Sequence, residues 1–149
     1  MSEMLGNQLF MARDYLKASR QLSAVLKVEP ENRKVQKKLI ICYSQIGDMS
    51  LSLELFYDLI RKDPYFIIDT DLYNEDCPCP DIIERMKKDK GENGMSVEYH
   101  NVLGTLYLYC NIDESVSWFK KSIAAESDQP MVNGILKVLT QLHTAPRSS

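Results

Sequence analysis

The sequence predicts an all-α protein built from antiparallel helix pairs that follow one another along the chain, and three observations carry that expectation. Apolar residues recur at helical intervals of three and four, as in Leu51, Leu55 and Leu59 with Phe56 and Ile60 beside them. The pattern returns after 34 residues, as from Leu5 to Leu39. Pro30 and Pro64, which cannot continue a helix, stand where successive copies should end.

The copies align residue for residue. Leu5-Gly6, Leu9, Ala18, Leu22, Val25 and Pro30 match Leu39-Ile40, Tyr43, Ser52, Phe56, Leu59 and Pro64 at a single offset of 34. A third copy begins at Leu103-Gly104 and runs through Tyr107, Ser115, Phe119 and Ser122, its later positions one residue early. The missing residue belongs to the turn around Cys110 and Asn111, where the other copies carry Ala12-Arg13-Asp14 and Ile46-Gly47-Asp48. Small Ala18, Ser52 and Ser115 let paired backbones approach, so a bulkier side chain there should overpack by about 1–3 kcal/mol.

Helices are expected over 2–12, 15–28, 33–45, 49–62, 96–109 and 113–126, in copies spanning about 1–32, 33–66 and 97–127. Leu39 and Leu103 are 64 residues apart where one repeat takes 34, so about 30 residues are inserted, over 65–95. The insertion opens on Tyr65-Phe66-Ile67-Ile68, passes through acidic Asp69 to Asp76, forms a short helix from Pro80 to Lys88 and reaches a loop at Gly91-Glu92-Asn93-Gly94. A final helix over 129–143 has Asp128 as its N-cap and Pro130 in its first turn. Its apolar side (Val132, Ile135, Leu136, Leu139, Leu142) covers the end of the array, and residues 145–149 are expected to fray.

With its Gly47-Asp48 turn and its Pro30 and Pro64 stops, this pattern resembles the tetratricopeptide repeat over residues 1–64 and 97–127. Gln36 and His100 depart from it by standing where the family has an early Trp, and Ser127 replaces the last proline. The resemblance implies a single domain over 1–149. Its form would be a short right-handed superhelical solenoid of about three helix pairs, with a capping helix and an irregular insertion between the second and third. It also implies a concave groove that binds a peptide or helix of a partner protein, the work of a scaffold or adaptor. The residues it would direct into that groove are Asn7, Phe10 and Met11; Lys34, Lys37, Ile41, Ser44 and Gln45; and Asn101, Thr105, Leu108 and Tyr109. Some relatives clamp a terminal carboxylate with a fixed set of Lys, Asn and Arg. Asn7 matches one member of that set, but Glu3, Lys38, Glu98 and Val102 replace the others, so that clamp is not expected.

Composition narrows the function classes. A net charge of −3 argues against a general nucleic-acid binder, which needs a concentrated basic surface. Arg33, Lys34, Lys37 and Lys38 are the densest basic feature; either they form a solvated helix face, or an acidic peptide or C-terminal carboxylate binds against Lys34 and Lys37, with Phe10, Met11, Leu108 and Tyr109 as apolar contacts. Two histidines, His100 and His143, with no phosphate loop, nucleophile elbow or dinucleotide fingerprint, give no catalytic constellation, so neither an enzyme nor a cofactor is expected. Cys77 and Cys79, in NEDCPCPD, are too close together and lack the second pair of a structural zinc site, and their acidic setting disfavours reactive thiolates. A proline-stiffened linker is the preferred reading there, and a metal- or redox-responsive element the lesser one. Four scattered cysteines and no stretch of ~20 apolar residues point to a reduced, cytoplasmic protein without membrane insertion, and the opening MSEMLG does not resemble a secretory leader. The structural alternative to peptide binding is a subunit that stacks on another copy to form a homo-oligomer.

Overall fold

The computed structural model describes residues 2–144, in which nine α-helices and one 3-10 turn occur and no strand. The helices are α1 (Glu3–Met11), α2 (Tyr15–Val28), α3 (Arg33–Gln45), α4 (Met49–Lys62), α5 (Tyr65–Ile68), α6 (Cys79–Lys88), α7 (Val97–Tyr107), α8 (Ile112–Ala125) and α9 (Pro130–Thr144), with the 3-10 turn at Gly91–Met95. The tail expected at 145–149 lies outside the described residues. Contacts gather into two compact units, Met1–Lys62 and Asp63–Ser149.

Six of the nine helices start where the sequence supplies a side-chain acceptor, while α5 and α6 start at Pro64 and Pro78 without one. Ser2, Asp14, Asn32, Asp48, Ser96 and Asn111 accept hydrogen bonds at 3.0–3.3 Å from the amides of Leu5, Lys17, Val35, Leu51, Tyr99 and Glu114, so six helices have an otherwise orphaned N–H satisfied. Between α1 and α2 the chain turns through Arg13 at φ 65°, and between α3 and α4 through Gly47 at φ 86°. No left-handed residue occurs between α7 and α8. Amides of Leu108, Tyr109 and Cys110 bond back three residues to Thr105, Leu106 and Tyr107, closing a tighter turn. The residue deleted from the third copy is therefore the left-handed one, and its loss ends α7 at Tyr107 where the periodicity suggested 109.

In the first unit each helix packs on its neighbour, α1 on α2, α2 on α3 and α3 on α4. Phe10, Ala18, Leu22, Val25, Val35, Leu39, Phe56 and Leu59 are among its buried apolar residues. Full burial of such a side chain contributes roughly 1.5–3 kcal/mol, which holds the helices together where propensity alone would not. Ser52 Oγ donates to the carbonyl of Ile40 at 2.8 Å, an approach open only to a small side chain.

The second unit repeats the device. Ser115 Oγ donates to the Gly104 carbonyl at 2.6 Å where α8 meets α7, and α9 packs on α8 through Val132, Ile135 and Leu139. Gln129 flanks the start of α9, one residue later than expected: its carbonyl accepts from Asn133, and its Nε2 donates to Ser122 and Glu126. The inserted stretch is more structured than a linker. Ile67 of α5 and Cys79, Ile82 and Ile83 of α6 are buried, and α6 packs against α7. Between them Asp71 accepts both the backbone and side-chain N–H of Asn74, bonds that hold its carboxyl below the usual range, and Tyr73 stands 91% exposed at the tip.

Candidate partner-binding site

The residues expected to face a partner divide between the two units. In the first, Asn7, Phe10 and Met11 lie on α1, and Lys34, Lys37, Ile41, Ser44 and Gln45 lie on α3. Phe10, Ile41 and Ser44 are buried, and Lys37 is only 8% exposed. Lys34 and Met11 are exposed, while Asn7 and Gln45 are half-buried. Phe10 is fixed by an edge contact to Tyr15 with centroids 6.1 Å apart, and the Ser44 hydroxyl donates to the Ile41 carbonyl at 2.7 Å.

Lys38 joins the two helices. Its Nζ donates to Asn7 Oδ1 at 2.8 Å and stands 6.0 Å from the centre of the Phe10 ring. The sequence marks Lys38 as part of a basic run but not as a facing residue, and the signal that places it is the 31-residue interval from Asn7. Lys34 is exposed one helical turn earlier on α3, so two ammonium groups lie along one side of that helix, the second of them beside the buried Phe10 ring. Such a face can hold a carboxylate beside an apolar side chain.

In the second unit the expected residues sit on α7 and just beyond it. Asn101 Nδ2 donates to Gln129 Oε1 at 2.9 Å, and Thr105 Oγ1 donates to the Asn101 carbonyl at 2.9 Å. Asn101, Thr105, Leu108 and Tyr109 are all buried, so the solvent-accessible members of the expected set are those of the first unit.

The cysteines are placed by packing. Pro78 flanks the start of α6 and Cys79 begins it, so Cys-Pro-Cys is a helix entrance, with Cys79 buried and Cys77 half-buried. Cys42 and Cys79 are enclosed, Cys110 is exposed, and none of the four is joined in a disulfide. Burial pushes the Cys42 thiol up to about 12; Cys110 reaches the surface, yet the protein packed around it, followed by the nearby Cys77, pushes it up to about 11. Both shifts oppose the reactive thiolate. Among the described residues no three His, Cys, Asp or Glu side chains gather as metal ligands, and no helix is long and apolar enough to cross a membrane. His100 is buried against Tyr99 and Trp118, with ring centroids 6.2 and 5.6 Å away.

Comparison with protein-family models, curated proteins and solved structures finds no match for this chain.

Proposed function

We propose that this chain is a non-enzymatic protein-interaction module of the tetratricopeptide kind, a right-handed array of helix pairs that acts as a cytoplasmic scaffold or adaptor. Its ligand is a peptide or helix carrying acidic residues. The observation that carries the reading is the α1–α3 face, where Lys38 links Asn7 to Phe10 and exposed Lys34 stands one helical turn before it. A bound carboxylate would exchange water for Lys34 and Lys38, while an apolar neighbour on the peptide would cover Met11. The repeated N-caps and the serine-to-carbonyl approaches at Ser52 and Ser115 support the repeat assignment.

The test is fluorescence anisotropy with acidic, neutral and basic peptide libraries. Acidic peptides should bind best and weaken as salt rises, because solvent and ions reach both ammonium groups, Lys34 fully and Lys38 in part. Lys34→Glu/Lys38→Glu should weaken binding by at least roughly tenfold, ~1.4 kcal/mol, with the helical circular dichroism retained. Equal binding of all three libraries, or no change in the double variant, refutes the reading. A self-associating subunit is the second reading, favoured by the apolar side chains that α1 leaves in solvent.

A further inference from the structure

We propose that Cys77 and Cys110 close a disulfide when the protein meets a thiol oxidant, a covalent lock between the entrance of α6 and the turn from α7 to α8. Both residues belong to the second unit.

The register of one helix hairpin brings them together. α6 and α7 pack on each other and are joined through residues 89–96, so they run antiparallel. Tyr99 Oη donates to the Met86 carbonyl at 3.4 Å, which sets the level at which the two helices face each other. Nine residues before Met86 stands Cys77, and nine beyond Tyr99 stands Leu108, which opens the turn that carries Cys110. The Cys110 thiol agrees with that register: after the protein packed around it, the neighbouring Cys77 is the group that pushes it up. Each thiol stands on a hydrogen-bonded turn, because the Cys77 N–H donates to the Leu72 carbonyl at 3.1 Å and the Cys110 N–H to the Tyr107 carbonyl at 2.9 Å.

Burial selects this pair from the four cysteines. Cys42 lies in the first unit and is fully buried. Cys79 is fully buried too, on the side of α6 that carries Ile82 and Ile83. Cys77 is half-buried and Cys110 exposed, so these are the thiols that an oxidant reaches. The chain through 89–96 already joins one end of the hairpin, and the disulfide joins the other, which holds α6 on α7 over its whole length. In a reducing compartment such a bond is transient, the behaviour of a sensor more than of a staple.

With oxidised glutathione as the electron acceptor, the Cys77 thiolate attacks one of its sulfurs, forms a mixed disulfide and releases one glutathione. Cys110 then gives up its proton and attacks the Cys77 sulfur, which forms the Cys77–Cys110 bond and releases the second glutathione. Two protein thiols are oxidised, one glutathione disulfide is reduced, and the two cysteine protons end on the two glutathiones. A thiol held as high as Cys110 attacks slowly, so brief oxidation leaves the hairpin open and sustained oxidation closes it.

The full chain, held at neutral pH with oxidised glutathione, should lose two hydrogens in mass and yield tryptic peptides linked through Cys77 and Cys110, with fragmentation separating Cys77 from Cys79. Cys110→Ser, at an exposed position, should keep the helical circular dichroism and stop at a glutathione adduct. Closure should fall by at least roughly tenfold in urea, where only chain flexibility brings the two thiols together. Amide exchange in α6 should slow on oxidation and recover with dithiothreitol. Adducts without a link, a link to Cys79 or to a second chain, or equal closure in urea overturns the pairing. An oxidised chain whose α6 exchanges as fast as before overturns the lock.

Discussion

At Gly104 one added carbon decides how closely α7 and α8 can pack. A Cβ built there would stand 2.8–2.9 Å from three atoms of the Phe119 ring, and that ring is fully buried. A rigid ring cannot step aside as a flexible chain end can, and the Gly104 carbonyl is also held by Ser115. Gly104→Ala should therefore cost about 1–3 kcal/mol in chemical denaturation, while Ser52→Ala, which loses one hydrogen bond to Ile40, should cost about 1 kcal/mol. A Gly104→Ala variant as stable as the parent would show that the helices separate freely. The sequence announced the close approach through the small residue at Ser115. It did not announce the partners of Gln36 and His100: Gln36 donates to the Pro30 carbonyl at 2.8 Å, and His100 packs against Trp118, brought from α8. Those partners come from other segments, which local pattern does not encode.

Helices with strong periodicity were legible almost to the residue. Met49–Lys62 begins and ends as expected, and the short helix of the insertion begins one residue early at Cys79, because Pro80 fits inside a first turn. In the sequence the 3-10 turn at Gly91–Met95 and the four-residue α5 look like a loop and an apolar run, since elements of a single turn show no period. The insertion's role was also hidden in the sequence. Tyr43 of α3 shares a hydrogen bond with Ser23 of α2, twenty residues before it, and Tyr107 of α7 accepts one from Lys87 of α6 at 3.1 Å, again twenty residues before it. Within its own unit α6 is thus tied to α7 through Tyr107, and the same contact holds the Lys87 ammonium above its usual pKa. Tyr107→Phe should loosen α6 by less than about 1 kcal/mol, because the pair is exposed. Amide exchange should quicken in α6 and not in α8; equal change in both helices would mean that the hydroxyl serves the whole unit.

For the whole molecule, the enclosed acids make stability fall in alkali. Cys42 is fully buried, and burial raises its thiol from 9.0 to about 12; burial likewise raises Tyr43. The unfolded chain releases the Cys42 proton near pH 9 while the folded chain keeps it toward pH 12. Across that window the unfolded state binds fewer protons, so stability declines as pH rises, and below it the contribution is fully present. Lys62, raised by Glu31 and then Asp58, acts in the same direction through a group that stays charged longer in the fold. Cys42→Ala starts less stable because it leaves a small cavity, so the comparison is between slopes and not between absolute stabilities. Urea midpoints measured between about pH 8 and about pH 10 should fall more gently in the variant, with Tyr43 and Lys62 supplying the slope that remains. Parallel slopes in the two proteins would mean that the Cys42 thiol ionises in the fold as readily as in the open chain, and that the α3 core admits water.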